Sequence, residues 1–285
     1  MKFRVSDDAR PQATTLLLAA ALSIALWFIP FAEILGYPFR IFVTFIHEGG
    51  HAIAALLTGN SVQSLSVAMN ASGETYTTQG GVFSQMLVSS AGYLGAMTFG
   101  AILLVLIRRA VAARVVLLGS AVLILVLTTV FGLFKPLLGG SWNSLSGVPF
   151  TLVAGVALAI GLVAVARFAS ARVATFVVSL LAVQCVLNAL LDLKNVLFLS
   201  SPFAPTIPTD ALNMRNATGI PAIIWAAVWI VAAFGILFLA LRLYVAARDR
   251  EFDAIKDLPF EQKAENLNPV PSRVTIQPHP PTSPR

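Results

Sequence analysis

The stretch Phe45-Ile46-His47-Glu48-Gly49-Gly50-His51-Ala52-Ile53 interrupts an apolar run with three ionisable side chains. Such groups are costly inside an apolar membrane helix and mark functional sites. Because His47 and His51 are four residues apart, their rings lie on one face of a helix and can bind one metal ion. Glu48 follows the first histidine and is placed to act as general base toward an attacking water. The stretch therefore predicts a metal site of the H-E-x-x-H type, with zinc as the metal.

The alternative for this stretch is a pair of packing histidines beside a buried glutamate. That arrangement would leave three polar groups in hydrocarbon without an identifiable partner, so we favour the metal site. The chain has three histidines, and the third, His279, lies in the polar tail outside the apolar runs. Gly49 and Gly50 lie between the two metal-site histidines, where they would allow close helix packing or the approach of a substrate backbone.

The composition of the whole chain is that of a membrane protein. Of its 285 residues, 57% are hydrophobic and 11% are charged, whereas a soluble domain carries about 25% charged residues. This excludes an ordinary soluble enzyme and a disordered protein. The net charge is +6, but the basic residues lie mostly at the ends of apolar runs, where they anchor membrane helices. We therefore do not predict nucleic-acid binding.

Seven apolar runs of helical length predict an all-α polytopic membrane protein with about seven transmembrane helices. After the second run, a polar stretch contains alternating, turn-like and β-prone segments, which predicts a short β-hairpin within residues 65–77. We expect a polar N-terminus at 1–12, one transmembrane domain at 13–246 and a charged, Pro-rich, disordered tail at 247–285. The expected spans are 13–35, 38–57, 82–107, 115–134, 149–166, 173–199 and 220–246.

A zinc hydrolase needs a third protein ligand, and the apolar runs offer no further histidine. Three carboxylates are candidates: Glu33 near the end of the first run, Asp192 deep in the sixth, and Asp210 in the loop beyond it. We favour Asp192, because an unpaired aspartate within a membrane helix is otherwise hard to explain. An ion pair with Lys194 or a hydrogen bond with Asn188 would also explain it. A helix-cap or loop role would explain Asp210.

In these residues the chain resembles the site-2 protease class of intramembrane zinc metalloproteases, and most closely the compact bacterial site-2-like branch. Two positions depart from the family pattern, since Leu193 follows Asp192 where the family has Gly, and Tyr93 follows Gly92 where the wider class tends to have Pro. The resemblance covers most of the membrane part and is carried by His47-Glu48-Gly49-Gly50-His51, Ser90-Ala91-Gly92-Tyr93-Leu94-Gly95, Asn188-Ala189-Leu190-Leu191-Asp192-Leu193, Thr209-Asp210-Ala211 and Thr218-Gly219-Ile220-Pro221.

The resemblance implies a metalloendopeptidase that cuts membrane-anchored protein substrates in or near their spanning segments. It implies Zn²⁺ bound by His47, His51 and Asp192, with Glu48 as the catalytic base. The expected location is the lipid bilayer of the bacterial cytoplasmic membrane, as a multi-pass protein that acts in regulated intramembrane proteolysis. The polar segment after the second run could pair with an extended substrate as an added strand. The competing hypothesis is a non-proteolytic polytopic protein, either a metal-binding relative or a transporter.

Overall fold

A computed structural model describes residues 10–25, 33–108, 112–139, 145–201 and 207–256. Its contacts divide the chain into the units Met1–Val245 and Ala246–Arg285. The second unit is described only as the end of a helix that reaches Lys256. Residues 247–256 of the predicted tail are therefore helical, and residues 257–285 lie outside the described part of the chain. The predicted polar N-terminus is likewise described only from residue 10 onward.

Helices and one small hairpin make up the described chain, so the predicted all-α membrane fold with a short hairpin is confirmed. The hairpin consists of β1, Val62–Val67, and β2, Gly73–Thr77. The helices are α1, Arg10–Ala25; α2, Glu33–Leu57; α3, Val82–Arg108; α4, Ala113–Gly139; α5, Val148–Phe168; α6, Ala171–Leu199; α7, Asp210–Thr218; and α8, Ala222–Lys256.

Five of the described helices are long and apolar enough to cross a membrane, namely α3, α4, α5, α6 and the part of α8 from Ala222 to Tyr244. The prediction of seven spans differs from this number at the first two apolar runs. The first run forms the short helix α1, and residues 26–32 after it lie outside the described part of the chain. The second run forms α2, which is 25 residues long, but its charged and histidine side chains lower its hydropathy.

Glycines allow α2 and α3 to pack closely beside each other. A Cβ atom on Gly50 would collide with the carbonyl oxygen of Ala91, and a Cβ atom on Gly95 would lie 3.4 Å from the Cα atom of Gly50. Larger residues would hold the two backbones apart, because the contact is between backbone atoms that have little freedom to move. This close approach brings the residues of α3 that follow Ala91 against the histidine face of α2.

At Gly49, α2 approaches the start of a π-helical segment of α4, Leu127–Phe134. A Cβ atom on Gly49 would lie 2.7 Å from the Cδ1 atom of Leu127. Both glycines between the two histidines therefore have a packing role, one toward α3 and one toward α4. π-Helical turns are uncommon and occur frequently near functional sites.

The hairpin is antiparallel and is anchored to the helices around it. In β1, Val62, Leu65 and Val67 are buried in the core, and the backbone N–H of Val67 donates to the hydroxyl of Thr151 at 2.9 Å. In the turn, the hydroxyl of Thr44 on α2 donates to the carbonyl of Ala71 at 2.7 Å. These contacts fix β1 and the turn, while β2 is the more exposed strand.

A short polar helix, α7, precedes the last span and has a cap at each end. The hydroxyl of Thr209 accepts a hydrogen bond from the backbone N–H of Leu212 at 3.2 Å, as expected of an N-cap residue. Gly219 ends the helix with a φ of 74°, a left-handed conformation that favours glycine. Since α7 packs against α3, its first residue, Asp210, is carried toward the histidine pair.

Candidate metal centre

The two histidines of the H-E-x-x-H stretch face each other on α2. Their Nε2 atoms are 3.1 Å apart, as the four-residue spacing predicts for one helical face. The ring nitrogen Nδ1 of His51 lies 2.7 Å from the carbonyl oxygen of Val88 on α3 and is the nitrogen that can donate to it. With the proton on Nδ1, the Nε2 lone pair is free for a metal, which is the usual arrangement for a metal-binding histidine.

Asp210 supplies a carboxylate oxygen at the same point. Its Oδ2 atom lies 3.6 Å from Nε2 of His47 and 3.4 Å from Nε2 of His51. Burial raises the pKa of this carboxyl, but attraction to the two imidazoles outweighs burial and leaves the pKa below its ordinary value. Asp210 is therefore ionised, which is the form in which a carboxylate binds a metal.

The spacing of the three donor atoms agrees with the size of a zinc ion. A tetrahedral ion with bonds of about 2.0–2.1 Å separates its ligand atoms by about 3.4 Å. The separations here are 3.1, 3.4 and 3.6 Å. Two imidazole nitrogens and one carboxylate oxygen are also a donor set of the kind that catalytic zinc sites use, with a fourth position left for water or substrate. The residues present therefore fit the metal that the sequence predicts.

Asp192, the aspartate favoured from the sequence as third ligand, is placed differently. It lies on α6 and lines the same cavity as the histidines, but it is not among the three residues whose donor atoms converge. In the described part of the chain it forms neither the expected ion pair with Lys194 nor a hydrogen bond with Asn188, whose amide instead donates to Gln184. Because Asp192 faces a polar cavity, its position in an apolar helix is explained without a metal ion.

Glu33 and Asp210 are the two other carboxylates that the sequence offers as a third ligand. Glu33 begins α2, and its side chain lies outside the described part of the chain. Asp210 combines the helix-start position that the sequence suggested with direct proximity to the histidines, and it lies in the first turn of α7.

A cavity of about 900 Å³ opens onto the three converging side chains. Its walls come from α2, the hairpin, α3, α6 and α7. The lining is largely polar, although the surrounding helices are apolar, so water and an unwound peptide backbone can both be accommodated. Representative lining residues are Glu48, Thr75, Tyr93, Asn188, Asp192 and Asn213.

Glu48 lies next to the metal-site histidines and is nearly inaccessible, with 4% of its surface exposed. It projects away from the direction of the histidines and toward the hairpin, where the hydroxyl of Thr75 donates to its Oε2 atom at 2.6 Å. The carboxylate thus borders the cavity without joining the donor set. The hairpin thus holds the carboxylate at the wall of the cavity.

Two residues of α3 contribute to the site in ways that motif spacing does not reveal. A Cβ atom on Gly92 would collide with the Nε2 atoms of both histidines, so a side chain there would displace the two rings from their present positions. The ring of Tyr93 stands edge-on to His47 with 4.6 Å between centroids and packs on Trp229 at 5.6 Å. Both residues belong to the stretch Ser90-Ala91-Gly92-Tyr93-Leu94-Gly95, which carries part of the family resemblance and in which Tyr93 departs from the family pattern.

Together, the apolar helices and the H-E-x-x-H centre define an integral membrane protein of the metallopeptidase kind. The family model described as Peptidase M50B-like matches residues 16–240. The chain therefore belongs to the Peptidase M50B-like family, which confirms the resemblance to site-2 proteases. No curated protein and no solved structure shows significant similarity to the chain.

Proposed function

We propose that this protein is a zinc-dependent intramembrane endopeptidase that hydrolyses peptide bonds in or near the spanning segments of membrane-anchored proteins. The observation that carries the proposal is the convergence of two histidine nitrogens and one carboxylate oxygen beside Glu48, within a polar cavity among apolar helices. Family membership supports a metallopeptidase reaction. The cytoplasmic membrane of a bacterium and a role in regulated intramembrane proteolysis belong to the same proposal.

The zinc ligands we propose are His47, His51 and Asp210. This replaces Asp192 in the ligand set, on the basis of the distances from Oδ2 of Asp210 to both imidazoles. When bound, zinc supplies a Lewis acid that polarises a peptide carbonyl and makes water a better nucleophile. The protein residues must then hold the ligand geometry, orient the substrate and move protons.

Glu48 performs the proton transfers in this mechanism. Its carboxylate accepts a proton from the attacking water and returns a proton to the leaving amine, so that one residue serves as base and then as acid. Support for this role comes from the place of Glu48 in the lining of the cavity, directly after His47 in α2.

The substrate must present an extended backbone, because the backbone groups of an intact helix are satisfied internally. Strand β2 lines the cavity along most of its length and has β1 as its only strand neighbour in the described chain. Its free edge can therefore hydrogen-bond to a substrate segment as a third strand. Addition of a strand would hold the scissile bond extended next to Glu48.

The test of the proposal is cleavage of a single-span model substrate by the purified protein in detergent or lipid. Cleavage that stops with a zinc chelator and returns when zinc is added supports an endopeptidase. If the zinc-loaded protein cuts no member of a panel of single-span substrates, the alternative of a non-proteolytic metal-binding protein or transporter is favoured.

A further inference from the structure

The hairpin does more than line the cavity, because it contacts the buried carboxylate of Glu48 directly. The hydroxyl of Thr75 in β2 lies 2.6 Å from Oε2 of Glu48 and 3.2 Å from the backbone carbonyl oxygen of the same residue. The shorter contact is a charge-assisted hydrogen bond, with the hydroxyl as donor and the carboxylate as acceptor. No other donor in the described chain reaches Oε2.

The second contact comes from Gly73, two residues earlier in the same strand. Alternate residues of a strand point to the same face, so position 73 faces Glu48 as Thr75 does. A Cβ atom on Gly73 would lie 2.6 Å from Cγ of Glu48 and 2.7 Å from Cγ2 of Thr44. The space that the glutamate side chain occupies therefore exists only because this strand position has no side chain.

These two contacts give the two carboxylate oxygens of Glu48 different surroundings. Oε2 is held by the Thr75 hydroxyl, while Oε1 accepts no hydrogen bond in the described part of the chain. Oε1 also lies against the hairpin, because a Cβ atom on Gly73 would be 2.5 Å from it. This oxygen can accept a proton from water without breaking the Thr75 contact. A carboxylate without the Thr75 contact would rotate about its last bond, which is a soft torsion with broad minima.

The strand that makes these contacts is itself held in place. The hydroxyl of Tyr37 donates to the carbonyl of Met69 at 2.7 Å, and Thr44 donates to the carbonyl of Ala71. Both donors lie on α2, the helix that carries Glu48. The turn of the hairpin is therefore hydrogen-bonded to the helix that carries Glu48. These bonds hold Thr75 in a defined position relative to Glu48.

We propose that Thr75 is a positioning residue for the general base Glu48, with Gly73 providing the space that the base needs. The hairpin then links substrate binding to proton transfer, since the strand whose edge is available to the substrate is also the strand that orients the base. This inference rests on the proposed function, because it assigns Thr75 a role in the same reaction.

The experiment compares Thr75→Val, which keeps the shape but removes the hydroxyl, with Thr75→Ser, which keeps the hydroxyl. The matched control is Thr175→Val on α6, whose hydroxyl bonds only to its own helix at Ala171. Zinc content, kcat and KM are measured for each protein with the single-span substrate. We expect Thr75→Val to retain zinc and KM while kcat falls about 10- to 100-fold. We expect Thr75→Ser to recover most of the lost rate.

A second measurement is independent of activity and uses thermal unfolding in detergent. The Tm values of Thr75→Val, Glu48→Ala and the double variant form a cycle that isolates the contact between the two side chains. We expect the Tm loss from Thr75→Val to be largely absent in the Glu48→Ala background. Additive Tm losses would show that the two side chains do not interact and would overturn the proposal.

The kinetic outcomes also separate the inference from the function on which it rests. If the wild type cleaves and Thr75→Val has an unchanged kcat, or if Thr75→Ser is as slow as Thr75→Val, the positioning role is overturned while the endopeptidase stands. If the wild type cleaves nothing although the Tm cycle shows coupling, the proposed function fails. The hydrogen bond is then structural only, which also overturns the positioning role.

Discussion

His51 and Asp210 place a ring nitrogen and a carboxylate oxygen 3.4 Å apart, although one lies in α2 and the other begins α7. The same oxygen is 3.6 Å from His47. Two histidines on a single helix are thereby joined by a carboxylate that is remote in sequence and comes from a short polar helix outside the apolar spans. This relationship defines the site and leads to the first prediction.

Asp210→Ala should lose zinc more severely than Asp192→Ala. Removing a direct ligand should weaken binding by more than about 100-fold, the upper range for a residue that acts through a ligand. The measurement is zinc content of the purified proteins after dialysis against a weak chelator. Asp192→Ala serves as the matched carboxylate deletion in the same cavity and should keep a full equivalent of zinc. The reverse order would return the ligand role to Asp192.

His47→Ala should remove zinc and leave the protein inserted in the membrane. The imidazole is one of the two nitrogen donors, whereas the packing of α2 depends on its buried apolar residues and on the glycines against α3 and α4. Membrane fractionation checks insertion, and metal analysis checks zinc. A full equivalent of zinc in this variant would show that the ion binds at another site in the protein.

Gly92→Ala should disrupt the metal centre although it adds only a methyl group. The added Cβ atom would collide with Nε2 of both histidines, and the contact of His51 with the Val88 carbonyl restrains that ring from moving aside. Gly119→Ala on α4 is the control, since the space around that glycine is open. Zinc affinity should fall only in the first variant. Equal affinity in both variants would mean that Gly92 of α3 does not lie against the two histidines.

The sequence predicted those parts of the site that are local in the chain. The apolar run around His47 and His51 predicts a helix. In a helix, their four-residue spacing places both side chains on the same face. The hairpin was predicted because its turn and strand signals also lie within a few residues. Glu48 was assigned as base for the same reason, since its relation to the histidines depends only on helical geometry.

The parts that the sequence did not predict depend on how distant elements pack. The sequence favours Asp192 because a carboxylate in an apolar run requires a partner, whereas the structure places it in the lining of a cavity rich in polar residues. Asp210 was ranked below it because a residue after Thr209 in a loop already has a cap-related explanation. The contact of Thr75 with Glu48 has no sequence signature, because it arises from the docking of the hairpin on α2.

In the proposed mechanism Glu48 acts as a base beside a zinc ion that it does not bind, and the activity of Glu48→Gln at equal zinc content tests this role. The amide is nearly isosteric and lies outside the converging donor set, so zinc and folding should be retained. An amide cannot accept the proton from water, so cleavage of the single-span substrate should fall by about 10²- to 10⁴-fold. Loss of zinc in this variant, or cleavage at the wild-type rate, would contradict the account.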